Sequence, residues 1–447
     1  MCRGEHDRAV ARLRAVLTTV PPDAPVRLGK PSSNLFRFGR RDRTDGLPVS
    51  GLDSVITLDR DARTIEVGGL ITYEKLVAAT LPEKLMPAVV PQLKTITLGG
   101  AVAGLGIEST SFRNGLPHES VVEMDVLTGS GDVVTVSPDD PLFRAFPNSY
   151  GTLGYAVRLV IKLVEVENTV ALSHHRFSSP TEALAAVEQL WNDPLVHFLD
   201  GVVFDRNEIY VTAGRFDDRA GPVSDYTGRS IYYRSIRERD TDRLTLHDYL
   251  WRWDTDWFWC SAALGLQNGF IRRLWPRQHR RSDVYRRIVG FDRRLGVTRR
   301  CQALLGRRRE AVFQDVEIPL PHAAGFLERL CDTVPIRPMW LCPLRSGDDR
   351  TWPLYPLDSG MGYVNIGFWA TVPLEAGMSS SHYNRLVEQL VADAGGHKSL
   401  YSTVHYDREQ FWSSYDEDAY RRVKRRYDPD GRFPELYNKV VGDHATG

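Results

Sequence analysis

"TITLGGAVAGLGIESTSFRNG", residues 95–115, places four glycines in the eight positions from Gly99 to Gly106 and closes the run on Glu108. Glycine lets a backbone approach a ligand closely, and successive free N–H groups make concavities that hold anions. Neither common phosphate-loop pattern is present, however. A Walker A loop needs lysine and then serine or threonine after its last glycine, and Leu105 stands in the lysine's place. A dinucleotide fingerprint needs a third glycine, but Gly104-Leu105-Gly106 is followed by Ile107, Glu108 and Ser109. What remains is a turn with small side chains, bare amides and hydroxyls at Thr95, Thr97 and Ser109. Such a turn can cradle a pyrophosphate without any lysine. On these residues alone, a tight packing turn against a neighbouring strand explains the run equally well.

The rest of the chain narrows the choice. Its 447 residues suffice for two or three domains, and lysine plus arginine balance aspartate plus glutamate at 57 each. That balance gives no reason to expect a nucleic-acid partner. Five scattered cysteines without a CxxC pair argue against a disulfide framework and a metal site, and fit a reducing compartment. The first 25 residues carry charges throughout and no apolar core, so they do not read as a signal peptide. No apolar run reaches the ~18 residues of a spanning helix. These features point to the cytoplasm.

Local patterns outline the first third of the chain. "SVITLD" (54–59) and "RTIEVGG" (63–69) read as strands, followed by a helix from "TYEKLVAATL" with Thr72 as its N-cap. "VVEMDVLTGSGDVVTVSP" reads as a hairpin turning at Gly129–Asp132. "YAVRLVIKLVEV" (155–166) alternates Val157, Leu159, Ile161 and Leu163 against Arg158 and Lys162, the pattern of a half-buried strand. After residue 170 come helical stretches, an aromatic and basic block, strands from about 311 to 373, and a polar, aromatic C-terminus.

In this order, the glycine run, the "VLTGSGDVV" hairpin (126–134) and "GTLGYAV" (151–157) resemble the FAD-binding domain of the vanillyl-alcohol-oxidase / p-cresol-methylhydroxylase family. Within that family the likeness is to delta-24 sterol reductase-like proteins, and it continues through "QDVEIPL" (314–320), "MWLCPL" (339–344) and "LYSTVHYDREQFW" (400–412). "FRNGLPHESV", "DYLWRWDTDWFWCSAALGLQN" and "GGHKSLYS" further resemble an actinobacterial branch, the methylene-fatty-acyl-phospholipid reductases, which turn a mid-chain methylene into a methyl branch. The resemblance implies an α+β fold: a two-subdomain PCMH-type FAD-binding domain (1–168), an α+β cap and substrate domain (169–395), and a C-terminal segment (396–447) returning to the flavin. It also implies FAD, with NADPH or NADH as reductant, and a lipid or phospholipid acyl substrate.

The flavin-loop region "LGKPSSNLFRFG" (28–39) lacks the histidine to which relatives often attach the flavin, so non-covalent FAD is expected, with Lys30, Ser32, Ser33 and Asn34 as partners. The resemblance adds Thr95, Thr97, Leu98, Gly99 and Gly100 from the first half of the glycine stretch. From its second half come Gly104, Leu105, Gly106, Ile107, Glu108 and Ser109, and beyond it His118, Gly151, Thr152, Gly154 and Val157. Glu108 repels a pyrophosphate by like charge, so its expected contact is ribose, a backbone amide or Arg113.

Saturating an unactivated double bond needs a hydride at one carbon and a proton at the other, hence a positioned acid. The candidates are His405, Tyr401 and Lys398 in "GGHKSLYSTVHYDREQ", with His118 of "GLPHES" competing. For each of them, an ordinary solvated or capping side chain is the plainer alternative.

Five of the ten tryptophans (Trp251, Trp253, Trp257, Trp259, Trp275) fall within 25 residues, and fourteen arginines against two aspartates lie between Phe270 and Arg309. This block (249–309) is expected to dock on an anionic membrane surface, since tryptophan favours the headgroup layer and arginine is drawn to it. A buried aromatic cluster with a solvated basic helix is the rival reading. The chain thus reads as a peripheral protein on the inner face of the membrane that reduces a lipid double bond. An oxidase or dehydrogenase of an alcohol or sugar, and a non-catalytic flavin subunit of a lipid methyltransferase, remain as alternatives.

Overall fold

The structure is a computed structural model that describes residues 3–21, 24–30, 46–296, 300, 308–347 and 349–441. Its described strands form two antiparallel sheets. The first holds β1 (Val55–Asp59), β2 (Thr64–Gly68), β3 (Leu85–Pro87), β4 (Val121–Leu127), β5 (Val133–Val136) and β6 (Tyr155–Glu165). Their order is β1-β2-β6-β4-β5, with β3 also on β6. The second contains β7 (Thr169–Phe177), β8 (Phe198–Asp205), β9 (Glu208–Phe216), β10 (Thr241–Thr245), β11 (Arg309–Pro319), β12 (Met339–Leu344), β13 (Tyr363–Pro373) and β14 (His397–Lys398). Its order is β10-β7-β9-β8-β12-β13-β11-β14. With helices packed against both sheets the fold is α+β.

Local signals act where the sequence places them. Thr72 caps the helix Tyr73–Thr80 by accepting from the Lys75 amide at 3.3 Å. β6 is the middle of the first sheet and buries Val157, Leu159, Ile161 and Leu163. Its other face departs from the expected solvated one: Arg158 is buried and pairs with Glu66 at 2.9 Å, Asp125 at 2.6 Å and Glu123. A guanidinium can be buried there because three carboxylates from neighbouring strands satisfy it.

The second sheet is covered on both faces. On its outer face the helices Pro180–Trp191, Leu320–Thr333 and His382–Asp393 pack on Leu199, Val203, Val316, Leu341 and Ile366. The inner face presents Phe198, Val202, Trp340, Cys342 and Trp369 to the first half of the chain, and one apolar cluster spans both. Alternation along β11 therefore puts Phe313, Asp315 and Glu317 inward, opposite Trp369, Gly367 and Asn365 of β13. Beyond β14 the chain returns to the first half, where Lys424 Nζ donates to the Thr152 carbonyl at 2.7 Å and Lys439 Nζ to that of Tyr150 at 2.6 Å.

The tryptophan block is interior. Trp251, Trp253, Trp257 and Trp259 are all less than a tenth exposed. Phe258 lies 4.3 Å from Trp369 and 5.6 Å from Trp340, ring centre to ring centre, so the block walls the inner sheet face. This corrects the expectation that these indoles meet a membrane. The signal that misled is composition, which is blind to burial. Among the described residues no helix is long and apolar enough to cross a membrane.

Candidate functional site

The glycine stretch folds partly as the short helix Leu98–Ala103, capped by Thr97, whose hydroxyl accepts from the Gly100 amide at 3.3 Å. Much of the imagined nest is thereby consumed. Leu98 N–H donates to Ile71, Gly99 N–H to Gly69 and Gly104 N–H to Gly100, each at 2.8–2.9 Å. Gly99 serves close packing, since a Cβ there would sit 2.6 Å from the Gly69 carbonyl. The amides of Leu105, Gly106 and Ile107, by contrast, make no hydrogen bond among the described residues. Gly106 is wedged between Pro91 and Pro117, whose ring carbons lie 2.8 and 2.9 Å from where a Cβ would stand.

A cation stands at the N-terminal end of this short helix. Lys30 Nζ donates to Thr97 Oγ1 at 3.0 Å and lies 3.4 Å from where a Gly100 Cβ would be. Burial, aided by the nearby Arg286 guanidinium, pulls the Lys30 ammonium down to a pKa of about 8. The Thr95 hydroxyl is buried and lacks a partner among the described residues. Three unbonded amides past the helix, and an orphaned hydroxyl and a lysine at its N-terminal end, are donor types that a pyrophosphate takes. Ser32, Ser33 and Asn34 lie outside the described residues.

Other expected contacts are taken up by the protein itself. Glu108 is buried; its Oε1 accepts from the Ser109 amide at 2.8 Å and lies 3.6 Å from Arg252, not Arg113. Ser109 Oγ also meets Tyr249 Oη at 2.9 Å. Arg252 in turn binds Asp200 at 2.8 Å, and the indoles of Trp253 and Trp340 donate to the same carboxylate at 3.3 and 3.2 Å. This buried network ties the end of the glycine stretch to the second sheet. Gly151 and Gly154 take positive φ values of 76° and 142° in a tight turn, with Gly154 against Val126 and Leu127. Thr152 Oγ1 donates to Ser149 O at 2.8 Å, and Val157 is packed near Leu127 and Phe433. Gly151, Thr152 and Gly154 shape the turn that leads into β6, in which Val157 lies.

On the inner sheet face the structure assembles a cluster that sequence reading missed. Asp315 and Tyr401 are surrounded by protein yet not fully closed off from solvent, and the Tyr401 hydroxyl hydrogen-bonds the Asp315 carboxylate. Desolvation raises Asp315 to a pKa of about 7, and only hydrogen bonds from Asn365 and Tyr401 counter it. Glu317 is pushed well above the carboxylate range by burial first and the Asp315 charge second, although Ser399 Oγ donates to it at 2.9 Å. The Tyr401 hydroxyl accepts from Trp369 Nε1 at 2.7 Å. Tyr150, in the left-handed region at φ 51°, bridges the two parts: its ring stands 3.2 Å from where a Gly104 Cβ would be, and it acts electrostatically on Tyr401 and Tyr355. The signal for the acid pair was its alternation in "QDVEIPL", which reads as a solvated face unless another domain covers it.

Of the four proposed proton donors only Tyr401 reaches this cluster. Lys398 is directed to the outer face, where its ammonium binds Glu388 at 2.7 Å and the Thr403 carbonyl at 2.9 Å. That ion pair leaves it structural. The His405 amide binds the same Glu388. His118 is buried against Trp352, 4.4 Å between ring centres, and burial pushes its pKa down to about 3. A ring neutral at physiological pH holds no extra proton to deliver. Its nitrogens lack partners among the described residues and remain suited to a ligand hydrogen bond.

Residues 26–137, which include Lys30 and the glycine stretch, match the family model of an FAD binding domain. Over 432 residues the chain is 23% identical to Delta(24)-sterol reductase of Rattus norvegicus, covering 91% of this chain and 79% of that protein. The Arabidopsis thaliana Delta(24)-sterol reductase is 22% identical over 461 residues, covering 91% and 78%. A shorter stretch of 140 residues is 32% identical to Cytokinin dehydrogenase 3 of Oryza sativa subsp. japonica, covering 30% of this chain and 27% of that one. The chain is an FAD-binding flavoprotein, similar along most of its length to proteins named as sterol reductases.

Proposed function

We propose that the protein is an FAD-dependent, NAD(P)H-consuming reductase of a lipid carbon–carbon double bond, and that the bond is a mid-chain methylene on a phospholipid acyl chain, reduced to a methyl branch. The observation that carries the reading is a pair of inward carboxyls, Asp315 and Glu317, on the inner face of the second sheet beside Trp369 and Tyr401, which desolvation holds above the ordinary carboxylate range. FAD, once reduced, supplies the hydride for such a reaction. Lys30, Thr95 and the amides of Leu105, Gly106 and Ile107 are the groups that would hold its pyrophosphate.

The chain's own task is the proton. Asp315 holds one at its carboxyl up to about pH 7, and Tyr401 stands beside it. Burial first and the Asp315 charge second hold Glu317 well above the carboxylate range beside it. Phe313, Trp340 and Trp369 present apolar surface to a hydrocarbon and exclude water. The phospholipid substrate draws on the resemblance of "FRNGLPHESV" and "GGHKSLYS" to the methylene-reducing branch. Reduction of a delta-24 sterol bond is a second reading, favoured by the names of the relatives.

Anaerobic mixing tests both. NADPH or NADH should bleach the flavin, and a 10-methylene phospholipid should restore its colour, whereas a delta-24 sterol should not. Recovery with the sterol alone selects the second reading. Bleaching by an alcohol or sugar and not by NAD(P)H refutes both, and a flavin inert to every donor points to a non-catalytic subunit.

A further inference from the structure

The arginine-rich stretch after the buried tryptophans forms the helices Gly269–Leu274 and Ser282–Leu295. Their inner side is fixed to the molecule. Arg272 is buried, pairs with Asp256 at 2.7 Å and donates to the carbonyls of Tyr226, Gly228 and Ser230. Arg280 donates to the Trp275 carbonyl at 2.9 Å and to that of Gly228. Tyr285 reaches the Thr255 carbonyl at 2.7 Å, and Arg281 grips Glu74 of the helix Tyr73–Thr80 at 2.8 Å. These arginines are structural ties, which corrects the expectation that Arg272, Arg280 and Arg281 attract a membrane.

The outer side differs. Phe270 is 73% exposed, Leu274 69%, Phe291 63% and Leu295 48%, with Ile271 and Ile288 beside them. These are six of the ten large apolar side chains that the described residues expose, and they sit within 26 positions. Ile288, Phe291 and Leu295 follow helical spacing, so they form one stripe along the second helix. Scattered exposed leucines need no explanation, but a concentrated patch marks a contact. Around it stand exposed Arg273, exposed Arg277, which pairs with the exposed Asp225 at 3.1 Å, and exposed Arg287, which pairs with Asp283 at 3.0 Å, and residues 269–296 hold nine arginines against two aspartates.

We infer that this outer face docks on an anionic phospholipid bilayer, with Phe270, Leu274, Phe291 and Leu295 entering the interface and Arg273 and Arg277 meeting lipid phosphates. Charge complementarity and protruding apolar side chains beside arginines suit a headgroup layer over a flat protein surface. Arg286 on the same helix lies within electrostatic reach of Lys30. Docking therefore brings the glycine turn close to the bilayer, where an acyl substrate resides. The inference rests on surface chemistry and not on the reaction proposed above.

The test is flotation of the full-length, FAD-loaded protein with vesicles of phosphatidylcholine alone or with three parts in ten phosphatidylglycerol. The parent protein should float with the anionic vesicles only. Phe270→Ser, Leu274→Ser and Phe291→Ser combined should lower partitioning at least tenfold at every salt concentration, with FAD content and melting temperature unchanged. Arg273→Glu with Arg277→Glu should abolish only the salt-sensitive part. Four results overturn the inference: a parent that ignores anionic vesicles at low salt, a triple variant that binds as well as the parent, tighter binding to duplex DNA than to vesicles, or a lipid-free dimer that the triple variant dissolves. The last would assign the face to a second copy of the chain.

Discussion

Replacing Asp315 by asparagine removes the proton that the carboxyl holds and nothing of the side chain's shape. With Asp315 titrating at about 7, half of the molecules carry the proton at pH 7. Two pH units higher only about one in a hundred does, so flavin reoxidation by substrate should slow by roughly 50-fold from pH 7 to pH 9. Asp315→Asn should lower that rate by about 10²–10⁴ and flatten its pH dependence, since an amide donates no proton to carbon. Flavin reduction by NAD(P)H should keep its rate, because only the second half-reaction needs the acid. Glu317→Gln should preserve the break near pH 7, for burial rather than Glu317 raises Asp315.

Stability supplies an independent reading of the same group. Burial holds the folded carboxyl at about 7 against an ordinary value of 3.8, so between those values the folded state keeps a proton the unfolded state has released. Stability from this group is full below about pH 4 and lost as pH rises to 7, a change of about 4 kcal/mol. Asparagine cannot ionise, so the variant should gain stability over the parent at pH 8 and little at pH 4, as urea melts would register. Stopped-flow under anaerobic conditions decides the role. If Asp315→Asn is more stable at pH 8 yet is reoxidised at the parent rate with the same pH break, Asp315 is a buried acid without a catalytic task and the reasoning fails.

Three further outcomes follow from the geometry. Lys30→Met should weaken FAD binding by about tenfold, the worth of one charge-assisted contact. In the parent, FAD should be released more readily as pH rises through about 8, where the depressed ammonium loses its charge; fluorescence of released FAD that stays flat from pH 7 to 10 contradicts this. Gly106→Ala puts a methyl group between the rings of Pro91 and Pro117 and should cost about 1–3 kcal/mol with loss of bound FAD; an unchanged melt and flavin content would mean the turn yields freely. Arg252→Leu strands the Asp200 and Glu108 carboxyls and should cost about 3–5 kcal/mol, whereas breaking the exposed Arg206–Asp332 pair should cost under about 1 kcal/mol in the same denaturation assay.

Much of the flavin half was legible because its signals are local. Thr72 acts on Lys75 three residues away, and the hairpin at Gly129–Asp132 closes on its own neighbours. The glycine stretch was half legible: its composition announced close backbone approach, but which amides remain open depends on Ile71 and Gly69, whose carbonyls occupy the others. The acid pair was illegible for the opposite reason. Asp315 and Glu317 sit about 200 residues from the glycine stretch, and a strand alternating polar with apolar residues looks the same whether its polar face meets water or another domain. The arginine surplus misled in the same way, since Arg272 and Arg281 answer to Asp256 and Glu74 of the molecule itself.

Two inward carboxylates on the second sheet, Asp200 and Asp315, make the case for function by their contrast. Burying a charge is costly unless it is paired and hydrogen-bonded. Asp200 meets that condition, with Arg252 at 2.8 Å and two indole N–H groups on one oxygen. Asp315 does not: it accepts from Asn365 at 3.3 Å and touches Tyr401, and no arginine or lysine contributes to its titration. Stability alone would favour an apolar residue at 315 on a face already lined by Trp340, Trp369 and Phe313. The same desolvation that makes Asp315 expensive leaves it half protonated at pH 7, which a solvated carboxylate could not be. A reductase of an unactivated double bond needs such an acid, and an oxidase built on the same fold needs a base in its place. The pH break of reoxidation therefore tests the direction of the reaction as well as the residue.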